Sequence, residues 1–249
     1  MEKRKPGRTW GLAIMIKVNW YPTLRRHESM EKHQEINITS IAPEPAFKYF
    51  IEKYPGAEYI KCPAFSDYLK NTFIVKSPYD LVITIDKNQQ TAFTDRYGQD
   101  FYDDNVKATY LNNVFLLHLP PRFLLIPETK ESVMITCLPM MVEQSPLSVI
   151  PGMFDISKWT RPIECAVHIH DEKEIALKRG QPIMMFKLTA KNNDSIKLEQ
   201  GVITKNILKL ADACVQVKGT NPSLNLKTLY KMADVYVSKM KTIIYKEKQ

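Results

Sequence analysis

The sequence predicts a mainly β protein: a β-roll or jelly-roll-like domain with a short N-terminal helix and a C-terminal helical appendage. Many short apolar runs lie between Pro, Asn, Asp and Gly breakers, the spacing of a roll, sandwich or barrel. Gly is scarce (8) and Pro frequent (16), which suits punctuated elements and argues against Gly-rich nucleotide loops. Beyond about residue 200 the apolar residues recur at helical spacing. The 249 residues thus divide into a basic leader (1–14), a β-roll-like domain (15–198) and a helical element (199–249).

Ile16–Trp20 alternates and ends at Tyr21-Pro22, a strand followed by a turn. The charged stretch Arg25–Gln34 reads as loop, with His27 and His33 as surface residues. Pro43–Tyr54 places Phe47, Phe50, Ile51 and Tyr54 at helical spacing, with Pro45 near the start and Pro55-Gly56 at the end. Short strands are expected at Phe73–Val75, Leu81–Ile85, Ala92–Phe93, Val114–His118, Phe123–Ile126 and Val133–Leu138. Asn112-Asn113, Pro120-Pro121 and Pro127 separate them, since Pro cannot donate to a ladder and belongs at strand ends or edges. Ile203, Ile207, Leu210, Cys214 and Val217 form an amphipathic helical stripe. Lys218-Gly219-Thr220-Asn221-Pro222 stops it, and Leu226, Leu229, Ala233, Tyr236, Met240 and Ile243 form a second.

The composition, 44% hydrophobic and 25% charged, is that of a globular chain with a real core. Net charge is +8 and pI about 9.1. Residues 191–249 hold eleven Lys against five acidic residues, six of those charges. The plain reading is a solvated Lys face on helices packed against the β domain. The sharper one is a surface for oligomerisation or for nucleic acid. The four cysteines form no CxxC motif; Cys137, Cys165 and Cys214 sit in apolar runs as buried small hydrophobes, which fits a reducing compartment. No apolar run approaches the ~20 residues of a membrane helix. Lys3, Arg4, Lys5 and Arg8 precede a short apolar run as in a signal peptide, but Lys17 ends it without a cleavage site, and Met15 is an alternative start.

Ile150–Leu188 is the most informative segment. Pro151, Gly152, Phe154, Asp155 and Trp159 are followed by a strand, a charged turn, and Leu177-Lys178-Arg179-Gly180-Gln181-Pro182-Ile183. This layout, with Ser77-Pro78-Tyr79-Asp80-Leu81 as a weaker first match, resembles the trimeric dUTPase and dCTP deaminase superfamily over roughly residues 73–188. The resemblance implies a β-roll, Asp155 as the water-activating carboxylate, Asp80 as the first-motif Asp, and Mg2+ as cofactor. The family's phosphate loop has no counterpart: CLPMMVEQSPLS, from Cys137 to Ser148, has no Arg-Ser-Ser run and no basic residue. The deaminase-type Glu would fall near Ala166, one same-face step from Glu164. Glu164 and Trp159 are the candidate ligand-binding residues.

In layout the chain also resembles uncharacterised proteins of tailed bacteriophages. Lys61-Cys62-Pro63-Ala64-Phe65, Pro78-Tyr79-Asp80-Leu81, Pro120-Pro121-Arg122-Phe123, Asp155, Trp159, Arg161-Pro162 and Gly180-Gln181-Pro182-Ile183 carry that likeness. It implies a phage protein in the host cytoplasm or virion, acting as a homo-oligomer or with other phage proteins. A third pattern lies on one strand. Glu164, Ala166, His168 and His170 share a face because side chains alternate, and Ile163, Cys165, Val167 and Ile169 share the core face. His168, His170 and Glu174 approximate the metal-binding pattern of cupins, which would take Fe, Mn or Zn, with His118 as a further ligand. The bland alternative is two solvent-facing His beside a charged turn. The leading expectation is a non-enzymatic phage-type protein needing no cofactor, with a structural, assembly or binding role. A dUTPase-like hydrolase and a cupin-like metal protein are the alternatives.

Overall fold

In the computed structural model the described residues are 15–22, 42–78, 80–86, 91–93, 107–111, 114–141, 147–169, 174–192, 194–210, 223–225, 228–229, 231–232, 235 and 238. The leader, the Arg25–Gln34 loop, His170 and most of the second C-terminal stripe lie outside them. In chain order the strands are β1 (Met15–Pro22), β2 (Glu44–Pro45), β3 (Thr72–Lys76), β4 (Leu81–Asp86), β5 (Thr91–Phe93), β6 (Lys107–Leu111), β7 (Val114–Pro127), β8 (Val133–Leu138), β9 (Leu147–Val149), β10 (Gly152–Asp155), β11 (Pro162–Ile169), β12 (Glu174–Leu177), β13 (Pro182–Ala190) and β14 (Ser195–Gln200). The α-helices with defined ends are α1 (Ala46–Lys53) and α2 (Pro63–Leu69), with a short 3-10 helix (Glu58–Lys61) between them; residues 205–210 are also helical. The protein is mainly β, as the sequence predicts.

The strands form three sheets. The first runs β14-β1-β7-β11-β9, with β6 also on β7; the second runs β10-β8-β13-β3-β2; the third is β12-β4-β5. Only β1 and β14 pair in parallel among the described strands. Alternation puts Val18, Leu117, Cys165 and Val167 of the first sheet in one core with Phe73, Ile135, Phe186 and Leu188 of the second and Ile83 of the third. Each such large apolar side chain contributes about 1.5–3 kcal/mol on burial.

Both main sheets are covered on their outer faces. Ile74 and Met185 of the second sheet pack under Ala46 and Phe50 of α1 and Leu69 of α2. Tyr21, Leu124 and Ile126 of the first sheet pack under Ile207 and Leu210. Ile207 and Leu210 of the first C-terminal stripe therefore dock as an amphipathic helix should, with Ile203 left 43% exposed before the helix begins, while Cys214 and Val217 lie outside the described residues.

Two expectations need correction. Pro120-Pro121 does not split the chain into two strands; β7 continues through it. Between Ile163–Phe123 and Cys165–Leu119 the register advances two residues on β11 and four on β7. The extra length falls at the prolines, where a bulge leaves unpaired positions that the missing N–H groups suit. The β domain also extends past residue 198, because β14 runs to Gln200 and completes the first sheet beside β1.

Candidate functional site

Asp80 and Asp155, the two candidate catalytic carboxylates, both organise turns. The Arg179 amide donates to Asp80 Oδ1 at 2.9 Å. That bond ties the start of β4 to the turn before β13, where Gly180 adopts φ +80°, a conformation glycine tolerates best. Asp155 accepts from the Ser132 hydroxyl at 2.7 Å and from the Ser157 amide at 2.9 Å, with Lys158 Nζ 3.5 Å away. Burial opposes its ionisation, but these donors outweigh it and hold the carboxyl below the ordinary Asp range. A carboxylate so occupied is a weak base for activating water.

Register keeps the two apart. Asp155 lies beside Met134, and Met134 beside Thr189 near the end of β13. Asp80 anchors the turn before Pro182, where β13 begins. At ~3.3 Å per residue the two lie roughly 20 Å apart along the strand. The structure therefore does not bring the two carboxylates into one site within a chain.

The metal pattern is dispersed as well. Ile163, Cys165, Val167 and Ile169 face the core as expected. His168 is half-buried on the opposite face, between Leu116 of β7 and Ser148 of β9. His118 sits on the same face opposite Ala166, a diagonal neighbour of His168. Glu174 is exposed and belongs to the third sheet, against Thr84. The side chain of Glu164 and all of His170 lie outside the described residues. Among the described residues, no group of three His, Cys, Asp or Glu is placed to hold a metal ion, and no helix is long and apolar enough to cross a membrane.

A different site forms where the chain changes sheets. β9 is an edge of the first sheet and β10 an edge of the second, so Ile150-Pro151 crosses the open side of the core. Behind this corner lies a pocket of about 260 Å3. Met153, Phe154, Trp159, Ile163 and Met184 contribute apolar walls, with Cys137 and Arg161 among the remaining lining residues. Gly152 pairs with Cys137, so it occupies an inward-facing position; a Cβ built there meets nothing within 4 Å.

Asp155 shapes this corner. Its carbonyl accepts the Trp159 amide at 2.8 Å and closes the turn that returns the chain toward β11. The Trp159 ring then packs on Phe154, centroids 5.0 Å apart. Arg161, two residues on, lays its guanidinium 4.8 Å from the Trp159 ring and 5.7 Å from the Phe154 ring. These cation–π contacts hold the guanidinium against the two rings. Among the described residues, the buried Nε of Arg161 has no hydrogen-bond acceptor. Burial raises the Cys137 thiol above its usual range, although Arg161 opposes the shift. Cys137 is therefore a poor nucleophile at neutral pH.

Of the sequence-stated candidates, Trp159 lines the pocket, while Asp155 builds its frame from outside. Arg161 and Gly152 were not singled out as ligand-binding residues. The available signal was Trp159-x-Arg161-Pro162: on an extended segment, residues i and i+2 share a side, which lets an arginine stack on a tryptophan. No protein-family model, curated protein or solved structure matches the chain. The reading of function rests on the residues themselves.

Proposed function

We propose that this chain is a non-enzymatic β-roll protein with a binding or assembly role. The composition of the corner pocket carries this reading. Among the described residues it joins apolar walls to a single arginine, with no imidazole or carboxylate on its lining and a thiol held protonated by burial. A site of that kind holds a ligand; it has no base to move a proton and no activated nucleophile. The hydrolase alternative draws on Asp80 and Asp155, and both carboxylates are engaged in turns.

The rim of the corner supports an assembly partner. Met153 is 68% exposed, and Ile150, three residues before it, is exposed as well. Together with the sequence's resemblance in layout to tailed-phage proteins, this favours a homo-oligomer or another phage protein, in the host cytoplasm or virion. The Lys-rich C-terminal segment adds nucleic acid as a further candidate partner.

A thermal-shift screen against deoxynucleotides with Mg2+ tests the non-enzymatic reading, because ligand at 100 times its dissociation constant adds about 2.7 kcal/mol of stability. No shift and no phosphate release are expected. A saturable shift accompanied by nucleotide hydrolysis would overturn the proposal. Light scattering after size exclusion tests assembly: a strict monomer at micromolar concentration that recruits no phage protein and no nucleic acid removes that part of it.

A further inference from the structure

We infer that the Arg161 pocket is a binding site for a small monocarboxylate with an apolar body. This deepens the binding role proposed above and rests on it. A guanidinium is charged at every accessible pH; Arg161 is half-buried, and a buried N–H donor left without an acceptor is unfavourable. Protein interiors supply such groups with partners as a rule, so an exception asks for an explanation. Arg161 has ring contacts on Trp159 and Phe154, yet its buried Nε has no acceptor. An anion entering the pocket would supply both that acceptor and a counter-charge.

The lining narrows the choice of anion. A carboxylate matches the planar fork of a guanidinium with two parallel hydrogen bonds. Among the described residues, Arg161 is the single cationic residue on the pocket wall, and no Ser, Thr, Lys or His lines it. A phosphate dianion or a nucleotide triphosphate would lack the further donors it needs. Phe154, Met153, Ile163 and Met184 meet the remainder of the ligand with apolar surface. An apolar cavity of about 150 Å3 holds one benzene ring. The pocket here, about 260 Å3, has room for a ring, a short linker and a carboxylate. Gly152 keeps that room open, since its inward-facing position carries no side chain.

The test is calorimetric titration of the full chain with phenylacetate, hexanoate, phenyl phosphate and the neutral analogue phenylacetamide. Phenylacetate or hexanoate should bind saturably, with phenylacetamide about tenfold weaker or worse, because it cannot supply the counter-charge. Arg161→Met should weaken carboxylate binding by about tenfold or more, and Arg161→Lys, which keeps charge without the fork, by less. Gly152→Leu guards against a folding artefact. Its side chain enters open space at a backbone conformation that any residue adopts, so the protein should fold and lose binding.

Equal affinity for acid and amide, wild-type affinity in Arg161→Met, or no saturable binding of either carboxylate to the folded wild type would each overturn the inference. So would phenyl phosphate binding more tightly than both carboxylates. Nucleotide hydrolysis measured on the same samples separates the two proposals. Hydrolysis with carboxylate binding intact sinks the non-enzymatic reading alone; absence of both removes the carboxylate site and leaves the assembly role standing.

Discussion

Gly201→Ala should destabilise the protein by pressing on one aromatic ring. Gly201 follows β14, and its amide donates to the Trp20 carbonyl at 2.9 Å, continuing the pairing of β14 with β1. A Cβ at this position would lie 2.1 Å from Tyr21 Cε1 and 2.4 Å from Cζ. Carbon atoms pack at about 3.5–4.0 Å, so ring or strand must withdraw by about 1.5 Å. Tyr21 is 1% exposed and held by Leu124, Ile126, Ile207 and Leu210, so withdrawal displaces the C-terminal helical segment. Overpacking of this kind costs about 1–3 kcal/mol, and loss of the Gly201 hydrogen bond about 1 kcal/mol more. The stiffer unfolded chain returns about 0.4–1 kcal/mol. A net loss of about 2–3 kcal/mol follows, a large share of the 5–15 kcal/mol typical of a folded domain.

Urea unfolding measures that loss, and a double-mutant cycle identifies its source. In a Tyr21→Ala background the ring is gone, so Gly201→Ala should be neutral or slightly stabilising, giving a coupling of about 2 kcal/mol. The same loss in both backgrounds would mean that the backbone, not the ring, resists the methyl group. A Gly201→Ala stability within about 0.5 kcal/mol of wild type would refute the reasoning outright.

Three further outcomes are expected. Tyr21→Phe removes a buried hydroxyl that has no hydrogen-bond partner, so urea stability should stay level or rise by up to about 1 kcal/mol, and a clear fall would count against this. Asp155→Ala breaks the bonds from Ser132 and Ser157 and should cost about 1–3 kcal/mol, more than Ser132→Ala; indifference to both changes would remove its role as a turn anchor. Stability should also fall in acid through Glu199, whose hydrogen bonds from Lys17 and Lys197 hold its pKa at about 2. A depressed carboxylate stabilises the fold above its unfolded pKa, about 4.3, and that gain is lost as pH falls toward the folded value. Thermal midpoints between pH 6 and 2 should therefore fall less steeply in Glu199→Gln, and parallel curves would contradict the assignment.

Where one strand face meets the core, the sequence was informative. β8 has the bounds expected for Val133–Leu138, because its alternate residues Val133, Ile135 and Cys137 all face inward. Helix α1 was marked by Phe50 between flanking prolines. β14 was missed because Ser195–Gln200 is mostly charged or polar, and its pairing with β1 is parallel and remote in sequence. Helix α2 was missed because seven residues, the first of them a proline, carry too little periodicity to read. In the site, Trp159 was legible as a large aromatic near a turn. The role of Arg161 was not, since an arginine in sequence gives no sign of whether an acceptor waits for it after folding.

The contrast between Asp155 and Arg161 decides which of them carries functional information. Both lie in the segment that resembles a hydrolase, and both are polar groups near the same corner. The acceptor capacity of Asp155 is committed to Ser132, Ser157 and Lys158, and its carbonyl to the turn that delivers Trp159. A Pro-Gly-x-Phe-Asp sequence can therefore arise from what a chain needs in order to leave one sheet edge, cross to the other and turn back. Catalysis is not required to account for it. Folding gives no comparable account of Arg161. The rings of Trp159 and Phe154 hold it in place, but the buried Nε has no acceptor among the described residues, and a side chain such as Met would fill the same space without stranding a donor. Unused hydrogen-bonding capacity in a pocket is the feature that packing alone does not explain, and it points to a ligand.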